Sequence, residues 1–223
     1  MIKATYIEHM GSDLTVANAA RVSFGKKSEM EDDPWGPPVL KAKDDKLIRY
    51  LAEHKHISPF GHCFASFHVK APIFVARQLV KHKFLRWNEI SRRYVDDEPE
   101  FYEPEDWRGR SPDKKQGSEG VVNIVLDQEV QWHRQLATYK NLLSEGVAPE
   151  QARMVLPQST MTEWYWSGSL DAFADMCNLR CKPDTQAETR QVARQIDHLM
   201  IELFPVSWDA LTDNSETDNG NKG

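Results

Sequence analysis

The chain has 223 residues, 40% of them hydrophobic and 28% charged, and carries a net charge of −6. That length buries a sizeable core in one large domain or two small ones. The composition is that of a folded globular protein, and the acidic balance argues against general affinity for polyanions.

In chain order, the N-terminal MIKATYIEHMGSD has Glu8 and Asp13 behind a short apolar run, unlike a secretion signal. No segment approaches the roughly 20 apolar residues of a membrane span, so no membrane is expected as partner and a cytoplasmic location is the default expectation. Residues 4–7 read as an opening strand, and Leu47, Ile48, Tyr50 and Leu51 give residues 44–54 an apolar helical stripe. HISPFGH at 56–62 holds Pro and Gly turn signals, and residues 63–69 have high strand propensity. Pro72 suits the first turn of a helix that buries Ile73, Phe74, Ala76 and Val80 on one side.

Behind that helix lies the most informative stretch. Arg77, Lys81, Lys83, Arg86, Arg92 and Arg93 face only Glu89 as formal opposition. A local basic cluster on an acidic chain suits an anionic ligand. Lys81 and Lys83 also complement the negative end of the preceding helix, a role worth about 0.3–1 kcal/mol that needs no ligand.

Residues 96–120 turn polar, with Pro99, Pro104, Pro112, Gly109, Gly117 and Gly120, and read as a loop inserted in the domain. A long helix is predicted from Val121, carrying Ile124, Val125, Trp132, Leu136 and Leu143 and ending at Gly146. Pro149 starts a short helix that Pro157 stops. Residues 159–166 read as a strand and 170–179 as a helix. Thr185 and Glu188 have the spacing of a capping box for a last helix lined by Val192, Ile196, Leu199, Met200 and Leu203. The domain is thus expected over residues 1–211, with 212–223 a disordered polar tail. Cys63, Cys177 and Cys181 are an odd set without the partners of a zinc site, so they read as structural thiols and no metal is expected.

Lys81-His82-Lys83, seven residues, then Ser91 resembles the Arg-His-Arg, seven residues, Ser signature of flavin-dependent thymidylate synthases. Similarity continues in AARVSF at 19–24, HISPFGH at 56–62, FHVKAPIFVARQ at 67–78, ARMVLP at 152–157, NLR at 178–180 and the Gln186-Ala187-Glu188 region. The resemblance implies a single-domain α+β fold with a mixed or antiparallel sheet and long helices, working as a homotetramer with flavin sites between subunits. It implies reductive methylation of dUMP to dTMP, with methylenetetrahydrofolate as carbon donor, FAD as hydride carrier and NADPH as reductant.

By motif position, Gln78, Leu79, Val80 and Lys81, together with Glu89, Ile90, Ser91, Arg92 and Arg93, would line the dUMP site. Arg92, Arg93 and Arg153 suit the phosphate, since guanidinium forks make charge-assisted hydrogen bonds. Arg180 takes the catalytic role by the same resemblance, as a fixed cation against the uracil ring that favours the N3-deprotonated form and makes C5 more nucleophilic. No cysteine has to attack the substrate in this mechanism.

The positions matching the family's FAD contacts are Ser58, Lys81, His82, Lys83, Glu89, Ser169, Leu170, Asp171 and Asp175. Several depart from the family pattern. Lysines replace both signature arginines, keeping charge and losing bidentate geometry. Ser169-Leu170-Asp171 stands for an Asn-x-Arg arrangement, and Asp184 for a histidine. Ser169 also suits a helix cap with Asp171 at the positive end of that helix. Trp87 has two readings, covering a ring or anchoring the packing, and Glu89 is expected to pair with neighbouring arginines. Two other functions are weighed: an inactive nucleotide-binding relative, and a single-stranded nucleic-acid surface on KHKFLRW. The acidic balance and the shortness of the basic stretch speak against nucleic acid.

Overall fold

The computed structural model describes residues 1–95, 97–112, 117–124 and 127–212. A four-stranded sheet is built from β1 (Lys3–Met10), β2 (Phe64–Pro72), β3 (Arg86–Glu89) and β6 (Met161–Ser169), in the order β1-β2-β6-β3 with every pair antiparallel. Successive side chains point to opposite faces of a strand. β2 therefore buries Ala65, Phe67, Val69 and Ala71 together. In register, Phe67 faces Trp166 and Val69 faces Trp164 of β6. Such cross-strand pairs each contribute about 0.2–1 kcal/mol.

α6 (Leu170–Arg180) follows β6 directly and is buried almost all round, with Phe173 edge-on to Phe67 and Trp166 at 5.2 and 5.5 Å. α7 (Ala187–Leu203) packs on α6 through Val192, Ala193, Ile196 and Met200. Full burial of each large side chain here contributes about 1.5–3 kcal/mol, so sheet, α6 and α7 form the rigid block. The structure is α+β as expected, and no described helix is long and apolar enough to cross a membrane.

Two buried carboxylates organise a second group of helices: α1 (Asp13–Arg21), α2 (Ala42–Glu53) and α8 (Pro205–Leu211). Asp13 accepts from the backbone N–H groups of Val206 and Ser207 at 3.0 and 2.8 Å, satisfying the open end of α8. Asp44, fully buried, pairs with Arg21 at 2.7 Å from Nε and accepts from the Ser28 hydroxyl. Arg21 of AARVSF is therefore a structural residue.

The remaining elements are α3 (Ile73–Leu79), β4 (Arg108–Arg110), β5 (Ser118–Val121), α4 (Gln128–Ser144) and α5 (Pro149–Ala152). The helix expected from Val121 starts instead at Gln128, where the Asp127 side chain caps it by accepting from Val130 N at 3.0 Å. Val121 belongs to β5, and Val125 lies outside the described residues. Gly146, at φ 83°, does end α4. Residues 96–120 contain the β4–β5 hairpin in their described part. The capping box at α7 does not form: Thr185 donates to Leu179 O at 3.1 Å, Gln186 takes the cap position, and the Glu188 carboxylate is engaged elsewhere. Of the expected tail, residues 213–223 lie outside the described residues.

Candidate active site

α3 delivers the signature segment to one end of the sheet. After Leu79 the chain turns through Phe84, whose φ of 65° is left-handed, and enters β3. A non-glycine residue there costs about 1–3 kcal/mol and persists only where its surroundings hold it. β6 packs close against it: a Cβ on Gly168 would lie 2.4 Å from Leu85 Cδ2 and 3.2 Å from Phe84 O, so an added methyl would push the Leu85 side chain aside and crowd the turn. Trp87 then stacks on Trp164 at 4.3 Å and meets Trp166 edge-on, which makes it a packing anchor. That removes an aromatic from the surface proposed for nucleic acid.

Two cavities flank this segment. The larger, about 840 Å³, lies between Phe74, Gln78 and Lys81, the hairpin with Trp107 and Arg108, the α4 face bearing Gln128, Gln131, Trp132 and Gln135, and the helix ends bearing Arg180, Gln186 and Glu188. The smaller, about 330 Å³, is lined by Lys81, His82, Lys83, Phe84, Asp175 and Arg180 among others. Lys81 and Arg180 line both.

Arg180 is the last residue of α6, so the buried helix fixes where its guanidinium emerges. Its Nε–H donates to His82 Nε2 at 3.0 Å. The acceptor nitrogen must be unprotonated, and burial, aided by the Arg180 charge, pushes the His82 pKa down to about 4. Burial also lowers the Arg180 pKa, though a guanidinium stays charged. Gln78 is oriented at both ends of its amide, which donates to Gln186 Oε1 and accepts from the Thr189 hydroxyl at 3.2 Å.

The other predicted residues are placed as follows. Leu79 and Leu170 are fully buried in the core, while Val80 is exposed. Glu89 accepts from Thr162 Oγ1 at 2.7 Å and Trp87 Nε1 at 3.1 Å, in place of the expected arginine pairing. Ser91 accepts from Arg93 N and Nε at 3.3 Å, Arg92 pairs with Asp97 at 2.9 Å, and Arg153 donates to Glu150 O at 3.2 Å. Ile90 is exposed beside them. None of the residues from Glu89 to Arg93 lines either cavity, nor does Arg153.

Around the start of α6, the turn Ser58–His62 approaches Asp171, and Leu170 N donates to Cys63 O at 2.9 Å. Ser169 occupies the cap position without a side-chain cap bond. Asp171 Oδ1 is buried with no partner, and Asp175 has a raised pKa, from burial first and the Asp171 charge second. The thiols are free: Cys63 is pushed up to about 11 by burial, and the buried Cys177 donates to Ala193 O at 3.6 Å. Among the described residues no His, Cys, Asp and Glu cluster is placed to hold a metal.

Reading the sequence missed Arg108, Glu188's place in the cavity, and the glutamine face of α4. A local signal existed for the last, since Gln128, Gln131 and Gln135 at steps of three and four share one face.

A family model described as thymidylate synthase complementing protein matches residues 5–206. A flavin-dependent thymidylate synthase of Thermus thermophilus is 41% identical over 209 residues, covering 92% of this chain and 73% of that protein. Another, from Kosmotoga olearia, is 39% identical over 213 residues, covering 92% and 87%. Among solved structures, the UMP/dUMP methylase PolB from Streptomyces cacaoi bound with 5-Br dUMP superposes with a TM-score of 0.77 at 31% identity, covering 94% of each chain. With likeness in sequence and in fold running over nearly its whole length, the chain belongs to the flavin-dependent thymidylate synthase family.

Proposed function

We propose that this chain methylates dUMP to dTMP, with FAD as hydride carrier, methylenetetrahydrofolate as carbon donor and NADPH as reductant. The observation that carries the reading is the pair of cavities meeting at Lys81 and Arg180. One cation pair can then serve an anionic nucleotide on one side and a flavin on the other.

The smaller cavity fits a flavin by its donor set. Lys81, Lys83 and Arg180 suit a diphosphate or an anionic ring, and the Asp175 carboxylate on the same wall suits a hydroxyl or ring N–H. Lys81, His82, Lys83 and Asp175 would hold the group, with Ser58, Ser169 and Asp171 along the start of α6. Bound there, FAD supplies two-electron hydride transfer next to the nucleotide.

The protein's own part is electrostatic. Arg180 is held through Nε by neutral His82, which leaves its terminal N–H groups free to face the pyrimidine. A preorganised cation in a site of low water content stabilises the negative charge that develops when N3 loses its proton, an effect worth about 2.7–4 kcal/mol per well-placed donor. Gln78, its amide fixed by Gln186 and Thr189, orients the base.

Ser91, Arg92, Arg93 and Arg153 lie outside the cavities of one chain. A homotetramer with sites between copies explains that placement, because a second copy would present these residues to the first. Exposed Val22, Phe24, Phe84, Tyr94 and Met154 supply apolar surface for such contacts. The purified protein is expected to show flavin absorbance and to release tritium from [5-³H]dUMP when methylenetetrahydrofolate, FAD and NADPH are present. No release despite bound flavin would sink the assignment.

A further inference from the structure

Glu188 is 3% exposed, yet only one of its carboxylate oxygens is used. Oε1 accepts from Arg108 Nη2 and, at 3.4 Å, from the Tyr102 hydroxyl. Oε2 has no partner, and the residue lines the larger cavity beside Arg180 and Gln186. A buried carboxylate oxygen without a donor is costly, and in a native fold it signals a partner that arrives from outside.

Resting on the nucleotide reading above, we propose that Glu188 Oε2 accepts a hydrogen bond from the 3′-hydroxyl of dUMP. With its phosphate ionised, dUMP offers two donors, N3–H and O3′–H. A carboxylate facing N3 would oppose the loss of the N3 proton that Arg180 favours, because two negative charges would then lie together. The hydroxyl carries no such conflict, and acidic side chains read sugar hydroxyls in other nucleotide sites. Arg108 and Tyr102 both bind Oε1, which holds the carboxylate and leaves Oε2 as its unused acceptor. Gln135 Oε1, also buried, unpartnered and on the cavity wall, is an acceptor left for the base.

The test compares binding of dUMP and of 2′,3′-dideoxyuridine 5′-monophosphate to the flavin-loaded wild type by calorimetry. Loss of a hydrogen bond to a charged acceptor predicts about tenfold or more weaker binding of the dideoxy analogue. In the double variant Arg108→Met/Glu188→Leu, which removes both charges of the pair together, the two nucleotides are expected to bind within about threefold of each other. Equal binding of both nucleotides by the wild type overturns the proposal, and so does discrimination that survives in the double variant. Absence of any dUMP binding overturns the nucleotide reading itself. The wild-type comparison decides even if the variant does not fold.

Discussion

Replacing Arg108 by Ala should destabilise the protein well beyond the usual effect of a surface arginine. The Glu188 side chain is 4% exposed and that of Arg108 30%, so the variant leaves a desolvated carboxylate with only the long Tyr102 contact. Breaking a buried pair costs about 3–5 kcal/mol. Solvent at Arg108, and the first turn of α7, whose dipole favours an anion by about 0.3–1 kcal/mol, reduce this to about 2–3 kcal/mol. For a domain of this size that corresponds to a fall in Tm of about 4–12 °C. Thermal and urea unfolding followed by tryptophan fluorescence would read it, with Trp107 adjacent in sequence as a reporter. The double variant Arg108→Met/Glu188→Leu should recover most of the loss, since no charge is then buried alone. A fall under about 2 °C for the single variant, or a double variant less stable than the single, would refute the reasoning.

Other substitutions address the site and its supports. Arg180→Ala should lower dTMP formation at least about 100-fold with the far-UV CD spectrum unchanged, and Arg180→Lys should not restore it; near-normal turnover in either would remove Arg180 from its role. His82 has a folded pKa of about 4 against 6.5 in the unfolded chain. The stability it lends is therefore complete above pH 6.5 and lost as pH falls through 4, because the unfolded state binds the proton first. Urea unfolding should show the wild type losing more stability than His82→Gln between pH 7 and 4.5, and parallel losses would contradict the buried, neutral histidine. Asp44→Ala leaves Arg21 without its buried partner and should cost about 3–5 kcal/mol, a figure that chemical denaturation can check. Gly168→Ala should shift the turn at Phe84 and weaken flavin binding, measured by fluorescence quenching; unchanged affinity would mean that the added methyl does not crowd the turn.

The periodic apolar stripes of α2 and α7 and the aromatic run of β6 were legible because each is decided by burial on one face. β3 was not: its residues Arg86–Glu89 are polar apart from Trp87, and what makes them a strand is pairing with β6, some eighty residues on. The capping box failed for a similar reason. Glu188 had the right spacing, but Arg108 claims its carboxylate from a hairpin with little apolar pattern of its own. At the site, Lys81 and His82 of the signature and Arg180 of the NLR block line one cavity. The cluster from Glu89 to Arg93 was legible as cationic, yet its sequence does not say that it turns away from the cavity of its own chain.

Lys81 and Arg180 line both cavities, the larger proposed above for the nucleotide and the smaller for the flavin. Whatever fixes those two side chains for one ligand removes part of the ordering cost for the other, and thermodynamic linkage requires the effect to be equal in both directions. Saturating nucleotide should then alter flavin affinity by the same factor as saturating flavin alters nucleotide affinity. Substitutions of either residue should change that factor as well as the two affinities, which makes the pair a point of communication between two binding events.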